Sequence, residues 1–134
     1  MAEGVLREVT LALPMVPEME LEASKTAAAI AESIHMNPDR IDEVRMAVVE
    51  ACINALLYSE APDGEVFVTF QVLGQRDPEK LRIMVHDNGV GFDPEAPRPR
   101  PGGGWGLKIM RELMDELQIR SGPEGTTVVM SKMR

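Results

Sequence analysis

Glu50 and Asn54 stand four residues apart in Glu50-Ala51-Cys52-Ile53-Asn54-Ala55. On an α-helix that spacing puts a carboxylate and an amide on one face. The small residues Ala47 and Ala51 fall beside them and let a ligand approach closely. Such a pair suits a hydrated Mg²⁺, which takes oxygen ligands and keeps several waters. It also fits a solvated helix face, so this segment alone leaves both readings open.

Two glycine segments follow. Asp87-Asn88-Gly89-Val90-Gly91 comes directly after an alternating apolar run. Its glycines permit positive φ and close backbone approach, and an aspartate at a strand end can accept a hydrogen bond from an exocyclic amine such as that of adenine. An ordinary Asp-Asn-Gly turn is the plainer alternative. Gly102-Gly103-Gly104-Trp105-Gly106-Leu107 leads straight into an apolar helical pattern and carries the only Trp. Backbone N–H groups of a glycine run at a helix N-terminus make an anion site. Lys108, in that first turn, opposes the helix dipole but suits an arriving phosphate. Two common phosphate motifs are absent. There is no G-x-x-x-x-G-K-[ST], and a G-x-G-x-x-G begun at Gly102 or Gly89 ends on Leu107 or Pro94. A P-loop and a Rossmann site are thereby set aside.

The elements that must position these residues can be read from periodicity. Residues 5–13 alternate Val5, Val9, Leu11 and Leu13 before Pro14 and Pro17, and read as an edge strand. A first helix is expected over 20–36, and a second over 40–59 with Asp39 as N-cap. The second helix carries the apolar stripe Ile41, Val44, Val48, Cys52 and Ala55. Residues 65–73 and 81–86 alternate and read as a hairpin. A third helix is expected over 107–116, and closing strands over 117–120 and 126–132. Helices and strands kept in separate runs imply an α+β domain, with a mainly antiparallel mixed sheet and helices on one face.

Composition narrows the function. One domain spanning 1–134 fits the length, and 44% hydrophobic residues suffice for a core. A net charge of −8 disfavours direct nucleic-acid binding, which needs clustered Lys and Arg. No apolar run approaches a membrane span, and a cytoplasmic protein is the expectation. Cys52 is a lone thiol expected as inert core, and His86 is expected as a strand residue. Met110, Met114, Met130 and Met133 are expected mainly in the core.

In this order, the three segments resemble the GHKL ATPase superfamily. Glu50 to Asn54 is similar to its N box, Asp87 to Gly91 to its first glycine box, and Gly104-Trp105-Gly106-Leu107 to its second. Gly125-Thr126 resembles the last motif of that fold, a two-layer α/β sandwich, and the resemblance covers nearly the whole chain. The small size, Ala47-Val48-Val49-Glu50-Ala51, Gly104-Trp105-Gly106-Leu107-Lys108-Ile109-Met110 and Met114-Asp115-Glu116 resemble the bacterial anti-sigma factor serine kinases. Those proteins bind a sigma factor and phosphorylate a serine on a STAS-type anti-anti-sigma antagonist.

The resemblance implies ATP or ADP and Mg²⁺ as ligands and a homodimer as the assembly. It implies Glu50 as general base and Asn54 as the Mg²⁺ ligand. Asp87, assisted by Thr126, would bind the adenine amine, with Gly89 and Gly91 lining the base pocket. Gly104, Trp105, Gly106 and Leu107 would form the phosphate loop. Tyr58 stands where the family often has His, and the lid over 92–101 is short and proline-rich, with Arg98 and Arg100 in it. These departures leave two alternatives: a nucleotide-gated binding module without catalysis, and a histidine kinase ATP domain without its other domains.

Overall fold

The computed structural model describes residues 4–58, 63–89 and 105–134. The chain runs β1 (Gly4–Pro14), α1 (Met19–Ser33), α2 (Pro38–Tyr58), β2 (Glu65–Gly74), β3 (Pro78–Asp87), α3 (Trp105–Leu113), β4 (Glu116–Gly122) and β5 (Gly125–Met133). All eight expected elements are present. The five strands form one sheet in the order β1-β2-β3-β5-β4, which puts β1 at an edge as its prolines imply.

All four neighbouring pairs are antiparallel, so the sheet is not the mixed one expected. The reason lies in the last hairpin. β4 runs parallel to β3 but does not touch it, because β5 folds back between them.

One face of the sheet forms the core. Alternate residues Val66, Val68 and Phe70 of β2, Leu81, Ile83 and Val85 of β3, and Val128 and Met130 of β5 are buried. They join a single apolar cluster with Val44, Val48 and Cys52 of α2. Ala23, Ala27 and Ala31 of α1 are completely buried, and their small side chains bring α1 close against α2. Burial pushes the Cys52 thiol up to about 12, with the nearby Glu20 carboxylate adding to the effect, so this cysteine is inert core as expected. Met110, Met114 and Met130 are also buried; Met133 is 46% exposed and lies outside the core.

Helix ends differ from the sequence expectation for local reasons. α1 stops at Ser33 rather than 36 because His35 turns left-handed, at φ 60°. The amides of His35 and Met36 then bond back to the carbonyls of Glu32 and Ala31, which closes the last turn. α2 starts at Pro38, and its N-cap is Asn37 rather than Asp39. Asn37 Oδ1 accepts from the Asp39 amide at 2.9 Å, and its carbonyl takes the first helical bond from Ile41 at 3.0 Å. Proline suits the first helical position, whose amide has no partner within the helix.

α3 ends at Leu113, short of the expected 116, since the Asp115 amide bonds to the Ser131 carbonyl and starts the path into β4. The buried Lys132 ammonium closes that end. It donates to the Leu113 carbonyl and pairs with Glu43 at 3.4 Å and Asp115 at 4.0 Å. A cation at a helix C-terminus complements its dipole.

The capping geometry makes a prediction. Asn37→Ala should destabilise the fold by about 1 kcal/mol, and Asp39→Ala by less, as read by urea unfolding. The reverse ranking would return the cap to Asp39.

Candidate functional site

The topology gathers the candidate residues at one end of the sheet. α2 begins at the opposite end, where Arg40 donates to the Met133 carbonyl at 3.2 Å. Its C-terminus therefore points to the end where β2 starts, β3 finishes and β5 starts. There Val66, Asp87 and Thr126 lie in register across three strands. The connection after α2 is short, and six residues reach at most about 20 Å, so Asn54 is held near that end. α3 runs the other way. Leu113 meets Lys132 at the far end, which leaves Trp105 on the side of Asp87.

Asp87 ends β3 on the core-facing side and is 5% exposed. Its Oδ1 accepts from the Gly89 amide at 3.0 Å, which folds the first glycine turn back onto the carboxylate. Thr126 sits opposite it, 3% exposed, with its hydroxyl 2.8 Å from the Ser121 hydroxyl. Gly125 explains how β5 comes so close. It has φ +133°, and a Cβ there would stand 2.1 Å from the Asp87 carbonyl oxygen. The close approach and the backbone angle both require glycine.

Asn54 is 5% exposed, and its Oδ1 is buried without a hydrogen-bond partner among the described residues. Leaving a buried carbonyl oxygen unpaired costs roughly 1–3 kcal/mol. An orphaned amide oxygen is a hard, neutral ligand, and it fits the Mg²⁺ that the resemblance implies there. Glu50, one helical turn earlier, is half-buried. It borders an open cavity of about 570 Å³ shared with Leu21, Ser24, Asp42, Arg45, Met46, Val49 and Ile109. The catalytic candidate therefore borders a surface recess that mixes apolar and charged side chains, while Asn54 is buried.

Trp105, Gly106 and Leu107 open α3, where the first four amides have no acceptor within the helix. Leu107 is buried, so its side chain packs and only its backbone is available to a ligand. Gly91, Gly104, Arg98, Arg100 and the lid over 92–101 lie outside the described residues, as do the side chains of Tyr58 and Trp105.

His86 is the strand residue expected, but it also joins a chain of polar contacts that the sequence does not reveal. Its Nδ1 lies 2.7 Å from the Thr127 hydroxyl, and its Nε2 lies 2.8 Å from Asn88 Oδ1. Asn88 Nδ2 donates to Asp63 Oδ2 at 3.1 Å. That amide, then the Glu65 backbone amide, holds the Asp63 carboxyl below the usual carboxylate range. Only the turn residues themselves, Asp63-Gly64 and Asp87-Asn88-Gly89, signal this chain in the sequence.

Two outcomes follow from this geometry. Gly125→Ala should push β5 away from Asp87 and weaken ADP binding more than tenfold, as read by calorimetry, with a lower melting temperature. Asn54→Leu should leave the unliganded protein as stable as before, or more stable by about 1 kcal/mol, because it removes the unpaired oxygen. The same substitution should abolish the Mg²⁺ dependence of nucleotide binding. A large loss of unliganded stability would show that the oxygen has a partner in the fold.

Comparison with known proteins agrees with this fold. A family model described as the histidine kinase-like ATPase domain matches residues 14–132. A serine-protein kinase RsbW of Bacillus velezensis is 32% identical, over 92% of this chain and 84% of its own length. The RsbW of Bacillus subtilis is 31% identical with the same coverage. Among solved structures, the RsbU and RsbW domains of a Mycobacterium tuberculosis protein superpose with a TM-score of 0.74. That match has 20% identity and covers 95% of this chain and 32% of the other. With a family model spanning most of the sequence and full-length relatives above 30% identity, the chain belongs to the histidine kinase-like ATPases, in the family of RsbW serine-protein kinases.

Proposed function

We propose that this protein is a Mg²⁺-ATP-dependent protein serine kinase whose acceptor is a serine on a STAS-type anti-anti-sigma antagonist. The observation that carries the reading is the buried, unpaired Asn54 oxygen one helical turn from Glu50. An oxygen ligand one helical turn from a half-buried carboxylate suits phosphoryl transfer. That reaction depends mainly on positioning and charge stabilisation.

Each residue has a role in this reading. The Asp87 carboxylate accepts a hydrogen bond from the adenine amine, with Thr126 assisting from the paired strand. Gly89 and Gly91 leave room for the base. The amides of Trp105, Gly106 and Leu107 open the positive end of α3 and receive the phosphates, with Gly104 assigned to the same loop by its motif. Asn54 holds the cation, and bound Mg²⁺ offsets the charge on the phosphates. Glu50 takes the proton from the serine hydroxyl as that oxygen bonds to the γ-phosphorus, and the bond from phosphorus to the ADP oxygen breaks. A sigma factor and a second copy of the chain complete the proposed partners; this part rests on family membership.

Incubating the protein with labelled ATP, Mg²⁺ and a STAS protein from the same genome tests the reading. Acid-stable label should appear on serine. Glu50→Gln should slow transfer roughly 10²–10⁴-fold and leave ADP affinity within about twofold. Label on histidine, or undiminished transfer by Glu50→Gln, would overturn it.

A further inference from the structure

The chain of contacts through His86, Asn88 and Asp63 lies outside the residues given a role above. The direction of its hydrogen bonds from Asp63 to His86 Nε2 follows from the carboxylate. The Asp63 carboxylate can only accept, so the amide nitrogen of Asn88 faces it. Asn88 Oδ1 must then accept, which places the proton of neutral His86 on Nε2. His86 Nδ1 in turn accepts from the Thr127 hydroxyl. A ring carrying both protons would donate to Thr127 instead, and the links through Asn88 to Asp63 are the same in either form.

The chain spans three parts of the site. Thr127 follows Thr126 in β5 and is the register partner of His86. Asn88 follows Asp87 in the first glycine turn. Asp63 precedes β2 and so ends the connection from α2, the helix that carries Asn54. Asp87 pins the turn from inside through the Gly89 amide, and Asn88 pins it from outside.

We infer that Asn88, held between His86 and Asp63, is a positioning residue that sets nucleotide affinity by fixing the Asp87 turn and tying it to the α2–β2 connection. The inference rests on the nucleotide reading above. It adds a second requirement: the turn needs an amide at 88 and an acceptor at 63, beyond the Asp and Gly of the motif itself. Replacing Asn88 by aspartate sets two carboxylates against each other. Adding Asp63→Asn restores the bond with its direction reversed, while residue 63 keeps an oxygen for the Glu65 amide and residue 88 keeps one for His86.

The test is a double-mutant cycle on the full chain, with Mg-ADP affinity measured by calorimetry. Asn88→Asp should weaken binding roughly tenfold and Asp63→Asn about threefold, while the double variant should return to within about threefold of the starting protein. His86→Ala, at a strand surface, should weaken binding like Asn88→Asp. In each case KM for ATP should rise, with kcat held at saturating nucleotide. Single variants that bind like the starting protein, or a double variant no tighter than Asn88→Asp, would overturn the inference. If the unsubstituted protein binds no Mg-ADP, the nucleotide reading itself fails before any substitution is made.

Discussion

The close approach of Gly125 to the Asp87 carbonyl is the constraint on which the site depends. A side chain at 125 would displace the end of β3 or the start of β5. With glycine there, Thr126 lies opposite Asp87, and the β4–β5 hairpin places β5 between β3 and β4. That order fixes the direction of α3. Its C-terminus is drawn to Lys132 at the far end of β5, and its N-terminus opens toward Asp87. One backbone contact thus aligns the Asp87 carboxylate, its neighbouring hydroxyl and the positive end of a helix.

The packing supports polar groups that a stability-optimised core would exclude. Asn54, Asp87 and Thr126 are all nearly buried beside an apolar cluster built from Phe70, Leu81, Ile83, Val48 and Met130. Asp87 is partly satisfied by Gly89, and Thr126 by Ser121. Asn54 Oδ1 has no hydrogen-bond partner among the described residues. Such a group makes ligand binding more favourable, because the desolvation penalty has already been met in folding. In the proposed reading, stability is traded for a prepared oxygen ligand, and the apolar cluster supplies the surplus that permits it.

Much of this was legible in the sequence because it depends on local spacing. The helical separation of Glu50 and Asn54, the strand alternation ahead of Asp87, and the glycines before an apolar helix each follow from backbone periodicity. Long-range geometry was less legible. The reversed neighbour order of β4 and β5 depends on which strand the final hairpin pairs with. The buried role of Lys132 depends on three elements meeting at one point. Asn37 outcompetes Asp39 as cap because Pro38 fixes the first helical residue, a choice between adjacent candidates that composition alone does not rank. Asn88 looks like an ordinary turn residue until its partners at 63 and 86 are placed beside it.

Nucleotide binding through a cation held at Asn54 is the property from which every proposed role follows. Thermal unfolding of the unsubstituted chain tests it most directly, run with ADP plus Mg²⁺, with ADP plus a chelator, and without ligand. Ligand that binds only the folded state stabilises it by about 2.7 kcal/mol at a hundredfold excess over Kd. A clear rise in melting temperature with ADP and Mg²⁺, largely lost on chelation, is the predicted result. Equal melting temperatures in all three conditions would contradict it.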